Sequence, residues 1–377
     1  MIRGLSLSAV LVFVFLSGCG EKIAIPVAEG LFSVTAYTEF DRFENTGTRQ
    51  MTVANSALFV IDGDGMLSKR NHIFDILESR TGLADPTALG HDEAEDMIFV
   101  WEAGASRLSA WSSTDLEPLG YAELEDIGAV THLAANTVGV AEFADGALTY
   151  VYLSDVENFV IHRIVWFEGG LAFPAGILCR DGGLSARSVH LPAGMATDAA
   201  GMMLVCDADT GRNWVNRFNP TPDVTDVTAD PDDIDPRRGT AITFGAPTCE
   251  PPSVSDYTLG NAPGCTGTWE GGPSDEPAEF HSPVSIDVDG QGWIYVADRD
   301  NSRIQIFEGS GNFVLYFGDP EETPLPKNLV TIDQPGPGSD INYGAFVFFM
   351  DGLTGDVLKF ISHDHFSHIS TQPWPGD

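Results

Sequence analysis

Cations are what this chain has least of: 19 Lys and Arg stand against 55 Asp and Glu, only four of the 19 are lysines, and the net charge is −36. The field of such a protein repels nucleic acid and anionic membrane surfaces, which excludes both as partners of the folded body. The acidity suits a cation or a basic partner, and equally plain solubility. Amphipathic 3.6-residue periodicity is absent after the first twenty residues, so helix is expected to be scarce. No Gly-x-Ser-x-Gly, no His-Glu-x-x-His and no phosphate loop occurs, and enzymatic activity has no positive support from motifs. The one long apolar run, Leu5 to Leu16, is too short to span a bilayer.

That run follows Arg3 and leads into Leu16-Ser17-Gly18-Cys19. The pattern is a signal peptide ending in a lipobox: small residues precede the cleaved bond, and the next cysteine takes a diacylglyceryl group. Residues 1–18 are therefore expected to be removed, with Cys19 as the acylated membrane anchor and 19–30 as a short tether. Gly20 and Glu21 follow, in place of the aspartate that retains some bacterial lipoproteins at the inner membrane, which points to the outer membrane or the cell surface. Four cysteines remain, an even number in an oxidising compartment. Cys249 and Cys265 bracket a Gly/Pro-rich stretch where a crosslink closing about 15 residues contributes roughly 3 kcal/mol. Cys179 with Cys206 is left by subtraction.

What the chain has in quantity is glycine (40), proline (23) and short runs of aromatic and β-branched residues, the composition of an all-β fold. The segment Pro283 to Phe317 is the most informative. It reads as a strand at 284–288, a tight turn Asp289-Gly290-Gln291-Gly292, a strand at 293–297, a polar turn from Asp298 to Ser302, a strand at 303–307 and a fourth at 312–317. Each hairpin has its turn chemistry in place. The stretch from Pro283 through Asp298, Asn301 and Arg303 to Phe307 resembles an NHL repeat almost residue for residue, and the resemblance implies one four-stranded blade of a β-propeller.

A blade buries its apolar faces only against other blades, so copies are required. Leu191 to Asp207 repeats the first half, with Asp207 in the place of Asp298 and Phe218 answering Phe307. Asp351 and Phe360 keep the same spacing, as do Glu102, Arg107 and Trp111; Asp155 with Asn158 reproduces the Asp298/Asn301 pair, and Leu58 to Asp62 is a sixth copy. Acidic marks at 62, 102, 155, 207, 298 and 351 make six blades, and residues 31–377 a single six-bladed β-propeller domain. The long step between 207 and 298 is accounted for by insertions at 219–238 and 246–279 flanking a strand at Ala241 to Gly245. A terminal strand has to close the ring; Leu31 to Tyr37 is the candidate, with His365 to Thr371 competing.

By the loop geometry of propellers, the turns at 207–213 and 298–302, the insertion 246–279, His190 and His281 share one face. His190, His281, Asp207, Asp298 and Asn301 are thus the candidate binding face for a protein or glycan ligand. The competing reading is that Asp298, Asn301 and Arg303 cap their own hairpin. Related six-bladed propellers include lactonases with a central calcium and an amidating lyase with zinc held by histidines that follow the proline of inner strands. The matching positions here are Ala193 and Val284, which puts the lyase chemistry in doubt. Calcium is the cofactor that Asp62-Gly63-Asp64-Gly65 and Asp230 to Asp235 would hold, although neither fits a full EF-hand loop. His363, His365 and His368 could ligate zinc or copper if that segment is extended.

Overall fold

The computed structural model describes residues 37–362, except 140–146, 179–190, 199–200, 210–212, 219–256, 261–272 and 336–341 and positions 45, 93, 168, 310 and 312. Six four-stranded antiparallel sheets follow one another around an axis. The first strand among the described residues, β1 (Tyr37–Phe43), belongs to the last sheet, and blade 1 is formed by β2 (Thr48–Ala54), β3 (Ala57–Asp62), β4 (Leu67–Arg70) and β5 (Ile76–Arg80). Blade 2 holds β6 (Pro86–Asp92), β7 (Met97–Glu102), β8 (Arg107–Ser112) and β9 (Pro118–Glu123), and blade 3 holds β10 (Val130–Gly139), β11 (Ala147–Asp155), β12 (Val160–Phe167) and β13 (Leu171–Leu178). Blade 4 is β14 (Pro192–Thr197), β15 (Met203–Asp207), β16 (Trp214–Phe218) and β17 (Tyr257–Gly260). Blade 5 is β18 (Pro283–Val288), β19 (Ile294–Asp298), β20 (Arg303–Phe307) and β21 (Phe313–Phe317). In blade 6, β22 (Lys327–Pro335), β23 (Asn342–Met350) and β24 (Val357–Ser362) are completed by β1, which pairs with β24. Among the described residues the helical content is two single 3-10 turns, Ala103–Ala105 and Arg299–Asn301.

The second strand of each blade explains why the repeat reads as an unbroken apolar run. Its two faces both go into cores, because alternate side chains enter the interfaces with the two neighbouring blades. On β15, Met203 and Val205 pack into blade 3 whereas Leu204 and Cys206 pack into blade 5. On β19, Ile294 and Val296 face blade 4 and Tyr295 and Ala297 face blade 6. Six hydrophobic clusters result, one per blade interface. At roughly 2 kcal/mol for each large apolar side chain fully removed from water, these interfaces carry the fold.

The first strands of the six sheets touch in ring order around the axis. Their approach is close enough that Gly194 is required: a Cβ there would lie 2.7 Å from Ser285 Cα and 2.8 Å from Val284 O. Each first strand also starts with a β-bulge at its second residue or just beyond, between Thr48 and Gln50, Pro86 and Ala88, Val130 and His132, Pro192 and Gly194, Pro283 and Ser285, and Lys327 and Val330. A bulge re-aims the side chains around it, and here it does so six times at one end of the channel.

Closure from the N-terminal side agrees with the choice of that terminus, but the strand is Tyr37–Phe43, later than expected; Leu31 to Ala36 and the competing His365 to Thr371 lie outside the described residues. Tyr37 stacks on Phe317 at 4.5 Å and Phe43 on Phe74 at 4.8 Å, so the closing strand is gripped from both neighbouring blades. A second correction concerns blade 4. Its fourth strand is Tyr257–Gly260, paired with Trp214–Arg217, and not Ala241 to Gly245, which lies outside the described residues. The Tyr-Thr-Leu run offers the β-formers that the outer edge of a blade needs.

Candidate binding site at the channel mouths

All six acidic marks sit at or just after the end of a second strand, and five of them are buried. Asp298 is 0% exposed. Its Oδ1 accepts from the backbone N–H of His281 at 2.7 Å, and its Oδ2 accepts from Asn301 Nδ2 (2.8 Å), Arg303 Nε (2.7 Å) and Gln305 Nε2 (3.0 Å). Burial holds the Asp298 carboxyl above its ordinary range, and these donors offset only part of that rise. Asp207 is equally buried and accepts from Leu191 N–H at 2.9 Å. Glu102 does the same for Ala84 N–H (2.8 Å) and Asp155 for Gly128 N–H (2.7 Å). In four blades, then, the acid at the end of the second strand holds the backbone just ahead of the first strand. Asn158 meets Asp155 at 2.7 Å in the way Asn301 meets Asp298.

Of the candidate face, therefore, the structure turns Asp207 and Asp298 into their blades, leaves Asn301 half-buried against Asp298 and Ser274 O, and leaves His281 accessible. His190 lies outside the described residues, as do Cys19, Cys179, Cys249, Cys265, Asp230 to Asp235 and His363 to His368. Cys206 is a free thiol among the described residues, 0% exposed and packed between blades 4 and 5; Cys179, the partner expected for it, lies outside them. The position of Cys206 on β15 directs the sulfur into an interblade core, where burial pushes the thiol up and keeps it unreactive.

His281 opens onto a cavity of about 700 Å³ at the end of the channel where the bulges lie. Arg49, Lys327, Arg299 and Asp300 reach the same cavity, together with Gln50, Thr131, His132, Asn213 and Asn328. His281 Nε2 stands 3.7 Å from Asp300, whose carboxylate also pairs with Arg299 at 2.8 Å. The segment carrying His281 is fixed from both sides, by Asp298 and by Asn213 Oδ1, which accepts from Ser282 N–H at 2.7 Å. Gln50 on blade 1 donates to Thr131 O on blade 3 at 2.9 Å, a bond that spans the channel past blade 2 and forms the floor of this mouth. His132 is held neutral, its pKa lowered to about 4 by burial; Nδ1 meets Thr131 Oγ1 at 3.2 Å, and Nε2 has no hydrogen-bond partner among the described residues.

The opposite mouth, a cavity of about 670 Å³, is different in charge. Asp92, Asp198, Asp287, Asp289 and Asp333 line it, and no Lys or Arg does among the described residues. Each carboxylate has protein donors: Thr137 Oγ1 for Asp92 (2.7 Å), Arg217 for Asp198 (2.6 Å), Thr331 N–H for Asp287 (2.6 Å), Tyr295 OH for Asp289 (3.0 Å) and Gly290 N–H for Asp333 (2.9 Å). Burial pushes Asp287 up to about 7, so its charge is partly suppressed at neutral pH. These carboxylates tie blades and turns together.

The metal chemistry of the lyase type does not fit. Its ligand positions correspond to the bulge ring, which here carries Arg49, Thr87, Thr131, Ala193, Val284 and Asn328, with no His, Cys, Asp or Glu among them. Among the described residues no group of three or more such side chains could hold a metal ion. Asp62 at the Asp62-to-Gly65 turn accepts from Asp64 N–H and Met66 N–H at 3.0 Å each, the bonds of a tight hairpin turn.

Residues 280–307 match the NHL repeat. No curated protein matches the chain in sequence. Among solved structures, a structural genomics protein of unknown function from Bacteroides thetaiotaomicron is similar at a TM-score of 0.51 and 11% identity, over 86% of this chain and 75% of that one. The Cps50 (Swd1) β-propeller domain of Myceliophteria thermophila gives 0.49 and 10% over 86% and 99%. Virginiamycin B lyase from Staphylococcus aureus gives 0.45 and 11% over 86% and 98%. At such identities the likeness concerns the fold alone.

Proposed function

We propose that this NHL-type propeller is a binding module, held outside the cytoplasm by the lipid on Cys19, that recognises a protein or glycan ligand at the mouth lined by His281, Arg49 and Lys327. The observation that carries this reading is the contrast between the two kinds of polar group on that face. The buried acids Asp207 and Asp298 are consumed in fastening the blades, whereas His281 and the side chains around it converge on a cavity of about 700 Å³. A concave site of this size, part apolar and part polar, is the usual form of a small-ligand or side-chain pocket. The bulge ring supports binding over lyase-type catalysis because its side chains supply neither metal ligands nor a paired acid and base.

Binding of the purified full chain to glycan and peptide arrays tests the reading, with His281→Ala and Lys327→Met measured beside the parent and Asp333→Asn, at the other mouth, as the comparison. Ligands lost in the first two variants and kept in the third are the expected result; ligands indifferent to both mouth variants overturn it. For the anchor, Cys19→Ala is expected to release the protein from membranes, and retention would remove that part.

A further inference from the structure

The charge of this molecule is arranged along its axis, against its average. Carboxylates outnumber cations 55 to 19 in the chain, yet among the described residues the mouth with His281 is lined by Arg49, Arg299 and Lys327 and by one carboxylate, Asp300. Asp300 is already shared between Arg299 and His281. Arg49 is half spent on Asp85 (3.1 Å) and Gly63 O (2.7 Å). Lys327, at the start of β22, has no ion pair among the described residues. Among the uncharged groups of the wall, Val156, Leu191, Val284 and Met350 form an apolar part beside the polar Gln50, Thr131, Asn213 and Asn328.

We infer that the ligand engaged at this mouth is an organic anion, a carboxylate head held by Lys327 and Arg49 with an apolar body against Val284, Leu191 and Met350. The inference rests on the reading of this mouth as the ligand site and narrows it to one chemical class. Cations with donors to spare beside a partly desolvated wall bind anions strongly, because a hydrogen bond to an ionised group in such surroundings is about twice as strong as a neutral one. A carboxylate suits a lysine ammonium together with one guanidinium edge. The apolar wall requires that the anion carry carbon, which sets inorganic phosphate aside. The large negative net charge does not prevent the approach, since surface charges more than about 8 Å away are screened at physiological salt. The acidic mouth carries no matching inference, because its carboxylates are each engaged by protein donors.

The probes are octanoate, octylamine and inorganic phosphate, titrated into the full chain by calorimetry while the imidazole resonances of His281 and His132 are followed by NMR. Octanoate should bind and move both resonances, with octylamine and phosphate at least tenfold weaker. Lys327→Met should weaken octanoate about tenfold, Lys327→Arg should restore most of that loss, and an unchanged melting temperature shows that the variant is folded. Octylamine binding as tightly as octanoate, or octanoate indifferent to Lys327→Met, overturns the inference. Array ligands that are neutral or cationic and still depend on the mouth residues would overturn it while leaving the mouth a binding site; array ligands indifferent to the mouth would remove the site itself.

Discussion

Removing the Asp298 carboxylate tests whether the acidic marks hold the fold. Asp298→Ala deletes four accepted hydrogen bonds. Not all four donors are stranded. Asn301 Nδ2 keeps Ser274 O at 2.7 Å, and Gln305 Nε2 keeps Glu279 O at 2.6 Å. The Arg303 guanidinium keeps the carbonyls of Asp275, Glu276 and Glu279, at 2.7–2.9 Å, but loses its counter-charge while 5% exposed. His281 N–H and Arg303 Nε are left without the acceptor they have now. Removing one partner of a buried ion pair costs about 3–5 kcal/mol, which already includes most of the cost of the stranded donors.

A domain of this size has an unfolding entropy of about 0.7 kcal/mol/K, so the loss corresponds to roughly 4–7 °C in melting temperature. Asp62 occupies the same place in blade 1 but is only partly buried, and it accepts from two N–H groups at the turn surface, where water can replace it. Asp62→Ala should cost about 1 kcal/mol, or roughly one to two degrees. Scanning calorimetry with urea denaturation of both variants measures the difference. If the two cost the same within about 1 kcal/mol, or if Asp298→Ala costs less than about 1 kcal/mol, burial and donor count do not govern these positions and the fastening argument is wrong.

Two further outcomes follow from the packing at the axis and at the closing blade. Gly194→Ala places a methyl against the backbone of Ser285 and Val284, so it should destabilise by about 1–3 kcal/mol, read as a drop in urea midpoint; Gly292→Ala, where a Cβ meets nothing within 4 Å but φ is +83°, should cost less, about 1 kcal/mol. Lys359 is 0% exposed, donates to His72 O at 3.0 Å and lies over the rings of Phe346, Phe348 and Phe40, with its pKa lowered to about 8 by burial. Because the unfolded chain holds that proton to about pH 10.4, unfolding takes up a proton between about pH 8 and pH 10, and stability should rise with pH across that window relative to Lys359→Met; a variant with the same pH profile as the parent, or one that loses more than about 2 kcal/mol at pH 7, would show that the aromatic cage outweighs desolvation.

The parts of this fold that are readable from the chain are those where one blade suffices. Leu58 to Ile61, Ile98 to Trp101 and Met203 to Cys206 are continuous apolar runs because both faces of a second strand are covered, and each is followed by an acid, of which Glu102 and Asp207 reach back to the start of their own blade and Asp62 binds the turn ahead of it. The hairpin turns from Asp289 to Gly292 and from Asp298 to Ser302 are local in the same sense, and the strands fall within a residue of where the pattern puts them. Pairings that cross long stretches of chain leave no such mark, which is why Tyr37–Phe43 and Tyr257–Gly260 stand away from their expected places. The mouth is further removed still. Arg49 and Lys327 are 278 positions apart in number and meet because each lies at the bulged start of a first strand, on neighbouring blades of the closed ring. The six copies carry five different residue types at that bulge, as Arg49, Thr87, Thr131, Ala193, Val284 and Asn328, while all six carry an acid at the mark. Within one repeating chain, positions that stay alike answer a demand every blade shares, the fastening of its own strands. A ligand on the axis is met once by each blade from a different side, so the side chains that recognise it have to differ, and the search for function in this propeller belongs at the positions where the repeat fails to repeat.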